Sequence, residues 1–203
     1  MPVKDVSIDD KLISVAKQEF LLHGYAKASV NIICEKVGVT TGALFRRFKS
    51  KEDLFLSIIM PTVTLMCDLF KAHHQILLKE RTVEYILNGS VDGQRRFIEY
   101  IYANLDLFTL MFISATSKMM EKFMDMFVEI EVASMVIMVK QYNPDYFDSD
   151  EILYNTAHML STSYFNALFE IVRHKMPKEE SYIYIKYIED FYRTGWLKIL
   201  GQM

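Results

Sequence analysis

Residues 38–55 read GVTTGALFRRFKSKEDLF. Gly38 can take a positive φ and close the helix before it, Val39 is an apolar anchor for the turn, and Thr40 carries an oxygen suited to cap the next helix. Ser50, with Asp53 three positions on, repeats the capping pattern, so a further helix is predicted from about residue 51. Between the two caps lies RRFKSK, four cations in six residues. A turn of this kind, leading steeply into a short helix, is helix-turn-helix grammar.

Upstream the pattern continues. Ser29 can cap a short helix whose inner face is Val30, Ile33 and Val37, with Asn31, Glu35 and Lys36 outside. Before it, Ile13, Ala16 and Phe20 follow helical spacing from Ser7, which pairs with Asp10 as a cap, to His23, and Gly24 ends that helix. Three helices thus fit into the first ~50 residues.

Charge singles out the same region. The 203-residue chain carries a net charge of −3, yet residues 27–51 hold Lys27, Lys36, Arg46, Arg47, Lys49 and Lys51 against Glu35 alone, while residues 61–203 are acidic. A basic module on an acidic remainder can meet a polyanion in one place only.

Composition sets the rest of the frame. Hydrophobic residues at 51% exclude disorder, and 7 Gly with 4 Pro are too few for a protein of many strands and turns, so the expected fold is all-α. Cys34 and Cys67 stand alone, which suggests neither a zinc site nor a disulfide framework. The N-terminus lacks an apolar signal region, and charges break every apolar stretch short of about 18 residues. A cytoplasmic protein with no membrane partner is expected.

The stretch LISVAKQEFLLHGYAKASVNIICEKVGVTTGALFRRFKSKEDLFLSII, residues 12–59, resembles the DNA-binding region of TetR/AcrR-type transcriptional regulators. Ala16 and Phe20 before Gly24-Tyr25, Ser29, Ile33-Cys34, Gly38-Val39-Thr40, Gly42, Leu44, Phe48, Lys51 and Leu54 fall in the family's register. The resemblance implies an N-terminal three-helix helix-turn-helix domain, set at residues 1–50, and a helical bundle for effector binding and dimerisation over 51–203. Two departures stand out. Phe45 replaces the family's frequent Tyr, and Arg46-Arg47 replace its usual aromatic or His, so that backbone contact shifts from a phenol to guanidinium groups. Cys34 sits at a small-residue position and reads as packed core.

The third helix is therefore expected to read bases in the major groove through its first turn, with RRFKSK gripping phosphates. The DNA-facing set is Ser29, Thr40, Thr41, Ala43, Phe45, Arg46, Arg47, Lys49 and Lys51. Phe45 and Phe48, three apart, suit inward packing, although Phe45 could instead touch a thymine methyl.

Downstream, helices are predicted at about 61–79, 82–103, 105–115, 118–141, 150–175 and 179–200, with breaks at NPDYFDSD and KMPKEE. The last two are apolar around much of their circumference and must be covered on several sides. With the resemblance, this implies a homodimer joined through Leu160, Tyr164, Phe165, Leu168, Phe169, Ile188, Phe191 and Tyr192.

Methionines crowd into residues 117–138, where Met120, Phe123, Met124 and Phe127 share helical spacing. Such a wall suits a core or a pocket for varied hydrophobic ligands; Cu(I) binding by thioethers is a third use. Met66, Phe70, Phe108, Phe112 and Met159 are further candidates for an apolar pocket, with Asn104, Asn155, His158 and Thr162 as its polar members. No nucleophile elbow, phosphate loop, metal-ligand motif or convincing carboxylate pair is present, so no catalytic residues, metal or cofactor are assigned. Adjacent His73 and His74 point about 100° apart on a helix.

Pro61 falls inside an apolar stretch, 54–70, and either bends a continuous helix near Ser57–Met60 or opens a new helix at its first position. The expected function is a one-component regulator, a repressor by default, that binds a near-palindromic double-stranded operator as a homodimer and is released by a small hydrophobic effector. The alternative is a helical carrier of hydrophobic molecules that does not touch DNA.

Overall fold

The computed structural model of the chain describes residues 6–79, 93 and 95–202. Its helices, in chain order, are α1 (Val6–Lys27), α2 (Val30–Val37), α3 (Thr41–Phe45), α4 (Lys51–Leu77), α5 (Arg95–Ala103), α6 (Leu105–Thr109) running into a π-helical turn (Leu110–Ser114), α7 (Ser117–Tyr142), α8 (Asp150–Arg173) and α9 (Lys178–Ile199). No strand occurs among the described residues. The helix expected over 82–103 is described only from Arg95; its earlier part, and the side chain of Ser7, lie outside the described residues.

The caps act as their residue types dictate. Gly24, at φ +71°, breaks α1 internally, and Gly38, at φ +79°, closes α2 with its N–H donating to the Cys34 carbonyl at 2.9 Å. Ser29 Oγ accepts from Ile32 N, Thr40 Oγ1 from Ala43 N and Ser50 Oγ from Asp53 N. The Asp53 carboxylate returns the favour by accepting from Lys49 N at 2.8 Å, a near capping box.

Pro61 does not open a helix. α4 runs through it, and the lost N–H leaves the Ser57 carbonyl without its helical donor. The stretch Lys51–Ile76 reaches a mean hydropathy of 1.6, enough by length and composition to cross a membrane. Here it serves as a core helix, with Leu54, Phe55, Ile59 and Val63 fully buried.

Two compact units form. One takes the described residues up to Thr64 together with Asp106–Met120; the other takes Leu65–Leu105 and the residues from Glu121 onward. In the first, Leu12, Ala16 and Phe20 of α1 meet Ile33, Leu44, Leu54 and Phe55 in a dry core, with Phe20 edge-on to Phe55 at 5.0 Å. The segment 106–114 adds Phe108, Leu110 and Met111, and Lys17 of α1 pairs with Asp106 at 2.5 Å.

The second unit is organised around phenylalanines. Phe127 and Phe169 lie 5.5 Å apart, Phe127 and Phe165 5.7 Å, Phe97 and Phe169 5.8 Å, and Phe70 and Phe165 5.7 Å between ring centres. Phe165 and Phe169 are wholly buried and Leu168 nearly so. These three, expected in a subunit interface, instead hold the chain's own core. A helix apolar on several faces does not announce from sequence which face its own domain covers.

Truncating such a ring leaves a cavity that a packed aromatic cluster cannot refill. Phe169→Ala should therefore lower the unfolding free energy by about 3–5 kcal/mol in urea denaturation followed by circular dichroism.

Candidate functional site

The head of the first unit is built to fix a very short helix. α3 spans five residues and buries Leu44, while Phe48 just beyond it is 9% exposed, so one side of this segment is sealed into the core. The opposite side carries Thr40, Thr41, Gly42, Phe45 and Arg46, all exposed, with Ala43 half-buried. Phe45 thus differs from the inward packing expected of it: it is 46% exposed while Phe48 packs inside. With both on a short turn-rich segment, only one ring can reach the core.

The four cations of RRFKSK divide into two kinds. Arg47 donates through Nε to Asp9 Oδ1 at 2.5 Å and through Nη1 to the Ala43 carbonyl at 3.1 Å, and both members of the ion pair are largely shielded. It bolts α3 to α1. Lys51 donates to the Ala26 carbonyl at 3.2 Å and lies 5.1 Å above the Tyr25 ring, and its partial burial lowers its pKa. Arg46 and Lys49 are exposed, with no side-chain ion pair among the described residues. Both side chains stand open to solvent.

Behind α2 sits a buried acid that the sequence reading missed. Glu19 is 1% exposed; its Oε1 accepts from Ser29 N at 3.1 Å, and Lys36 Nζ lies 3.6 Å from Oε2. The carboxylate ties the N-terminus of α2 to α1, so Ser29 acts as a doubly anchored cap. Its signal was an acidic residue next to Phe20 on the inner face of α1, legible only once the turn positions were known. Burial also raises the pKa of the Cys34 thiol, as for an inert packed cysteine.

Comparisons with known proteins agree with this geometry. Residues 12–58 match the family model described as bacterial regulatory proteins, tetR family. This N-terminal stretch is similar to the tetR family of bacterial regulatory proteins. Over nearly the whole length, the fold is similar to that of a TerR/AcrR-family transcriptional regulator from Aquifex aeolicus (20% identity, 92% of this chain and 98% of that one, TM-score 0.57). It is also similar to a TetR-family regulator candidate from Syntrophomonas wolfei (17%, 96% and 97%, 0.68) and to FadR from Bacillus subtilis in complex with stearoyl-CoA (12%, 96% and 98%, 0.61).

The second unit contains a cavity of about 120 Å³ between α4, α7, α8 and α9. Of the residues expected in a pocket, Phe70 lines it. Met66, Phe123, Met124 and Phe127 are core, Asn155 and Met159 are exposed, and His158 and Thr162 are half-buried outside the lining. Asn104 binds the Tyr100 carbonyl at the end of α5, and Phe108, Phe112 and Met120 belong to the first unit. From the methionine run, Met135 and Met138 reach the cavity. Leu160, Tyr164 and Tyr192, expected at a subunit interface, also line it.

The division of the cations gives opposite expectations for neighbouring arginines. Arg47→Ala and Asp9→Ala should each destabilise the fold by about 1–3 kcal/mol, with much less than additive loss in the double variant. Arg46→Ala should leave the melting temperature unchanged and lower the slope of log K against log salt for DNA by about 1. Thermal melts and fluorescence anisotropy check the two halves.

Proposed function

We propose that the protein is a homodimeric, cytoplasmic one-component repressor whose two α3 helices enter successive major grooves of a near-palindromic operator, and that a small hydrophobic effector in the second unit releases it. The observation that carries this reading is the split surface of α3: its inner side is locked by Leu44, Phe48 and Arg47, while Thr41, Phe45 and Arg46 face outward. A short helix held this rigidly with its first turn uncovered suits base reading. Phe45 offers a ring to a thymine methyl, and Arg46 with Lys49 offers charge to the flanking phosphates.

Dimerisation is supported by α9. Ile183, Tyr187 and Phe191, four residues apart, are 61%, 69% and 76% exposed and make one apolar stripe. A monomer would leave this stripe in water, whereas a twofold axis beside α9 covers it with its own copy. Two subunits so joined present two reading heads, which demands operator half-sites about one helical turn (~34 Å) apart or a multiple of it.

Effector control is supported by the aromatic cavity and by the ligand-bound state of one protein of the same fold, FadR with stearoyl-CoA. A ligand preferring one geometry of the dimer would draw the population toward it and weaken the other state's hold on DNA.

In a mobility-shift assay with DNA from upstream of its own gene, the protein should give a discrete complex that random DNA competes poorly. Complexes of equal strength on all fragments would contradict operator reading. Thr41→Ala should reduce discrimination between operator and random DNA by about 1–3 kcal/mol with little change in the salt slope. Phe191→Asp should sediment as a folded monomer, because a carboxylate on that stripe would be left unpaired in the interface.

A further inference from the structure

The cavity of the second unit is walled by rings yet contains polar atoms that its own surroundings do not satisfy. Tyr164 and Tyr192 meet at 5.1 Å between centres, Phe70 stands edge-on to His74 at 4.4 Å, and Trp196 closes the wall. Into this lining come Glu189 of α9 and Ser161 of α8. Glu189 Oε1 and Ser161 Oγ are both buried with no hydrogen-bond partner among the described residues, and Ser161 as a whole is 2% exposed. Unpaired buried oxygens are costly, and a fold that keeps two of them in one cavity has left them for something else to engage.

Sign of charge narrows what that is. Glu131 has the His74 imidazole beside it: His74 Nε2 lies 3.1 Å from its Oε2, without the alignment of a hydrogen bond. Glu189 has no ion pair among the described residues, and its neighbour on the helix is another acid, Asp190, which lines the same cavity. Burial first, and Asp190 second, push the Glu189 carboxyl up to about 8. A cationic head placed against it would offset both causes of that rise by supplying a counter-charge next to the carboxylate. The rings around it favour the same partner, since aromatic faces attract ammonium groups.

We propose that the effector is an amphipathic cation, its ammonium-type head held by Glu189 with Ser161 beside it and its apolar body lying along the Phe70–Tyr164–Trp196 wall. This rests on the reading of the cavity as the effector site and specifies its chemistry. It also separates this chain from FadR, the similar fold solved with an acyl-CoA, whose phosphates are anionic. Arg193 lines the cavity as well, so an anion is the proper control.

Three probes of one chain length decide the matter: decyltrimethylammonium, decanol and decanoate, each titrated into the full-length protein by calorimetry. The ammonium should bind at least about tenfold more tightly than decanol, and decanoate more weakly than either. Glu189→Gln, which keeps the shape and removes the charge, should lower affinity for the ammonium at least about tenfold and leave that for decanol within about twofold. Decanol or decanoate binding as tightly as the ammonium would overturn the charge assignment while leaving the cavity a ligand site. Failure of all three to bind would overturn the proposal together with the effector-site reading. Equal ammonium affinity in wild type and Glu189→Gln would remove Glu189 from the site.

Discussion

A five-residue helix has no stability of its own, because nucleation fixes several residues before a single hydrogen bond repays it. Everything the N-terminal unit does therefore depends on how α3 is clamped. Leu44 and Phe48 seal one side, Thr40 caps the start, Gly38 sets the entry turn, and the Arg47–Asp9 pair ties the far end to α1. Glu19 does the corresponding work for α2 by accepting from Ser29 N. Two partly or wholly buried acids on α1 thus act as brackets for the two helices of the motif. What is left uncovered, Thr41, Gly42, Phe45 and Arg46, lies on the side of the segment that the scaffold has not used.

This arrangement changes how the basic cluster is understood. As a string, RRFKSK looks like one undivided phosphate grip. In three dimensions it alternates tasks: Arg46 and Lys49 face solvent, while Arg47 and Lys51 bond to the protein's own carboxylate and carbonyl. The net positive charge of the region is real, but half of the cations in RRFKSK are structural. Phe45 and Phe48 divide in the same way, one outward and one inward.

The parts of the fold legible in the sequence are those fixed by local chemistry. Ser29, Thr40 and Ser50 cap where their side-chain oxygens predict, Gly38 takes its positive φ, and the helices of the second unit begin and end near their breaker residues. What was not legible depends on contacts distant in sequence. Asp9 finds Arg47 across 38 positions. Phe165 and Phe169 point into their own unit rather than to a partner, and Ile183 and Tyr187 take the exposed role, because α8 and α9 are apolar on more than one face. The cavity draws Glu189 and Ser161 from the same two helices, and no local pattern in the sequence singles either of them out. Pro61 leaves α4 unbroken because flanking residues such as Ile59 and Val63 are anchored in the core.

The central claim is that the uncovered edge of α3 is the surface that meets DNA. Amide hydrogen exchange with and without a DNA fragment from upstream of the gene tests it most directly. Added protection should concentrate at residues 40–46 and around Lys49, with the buried amides of α1 already slow in both states. Unchanged exchange at residues 40–46 in a complex that forms, with protection appearing elsewhere in the chain, would contradict the account.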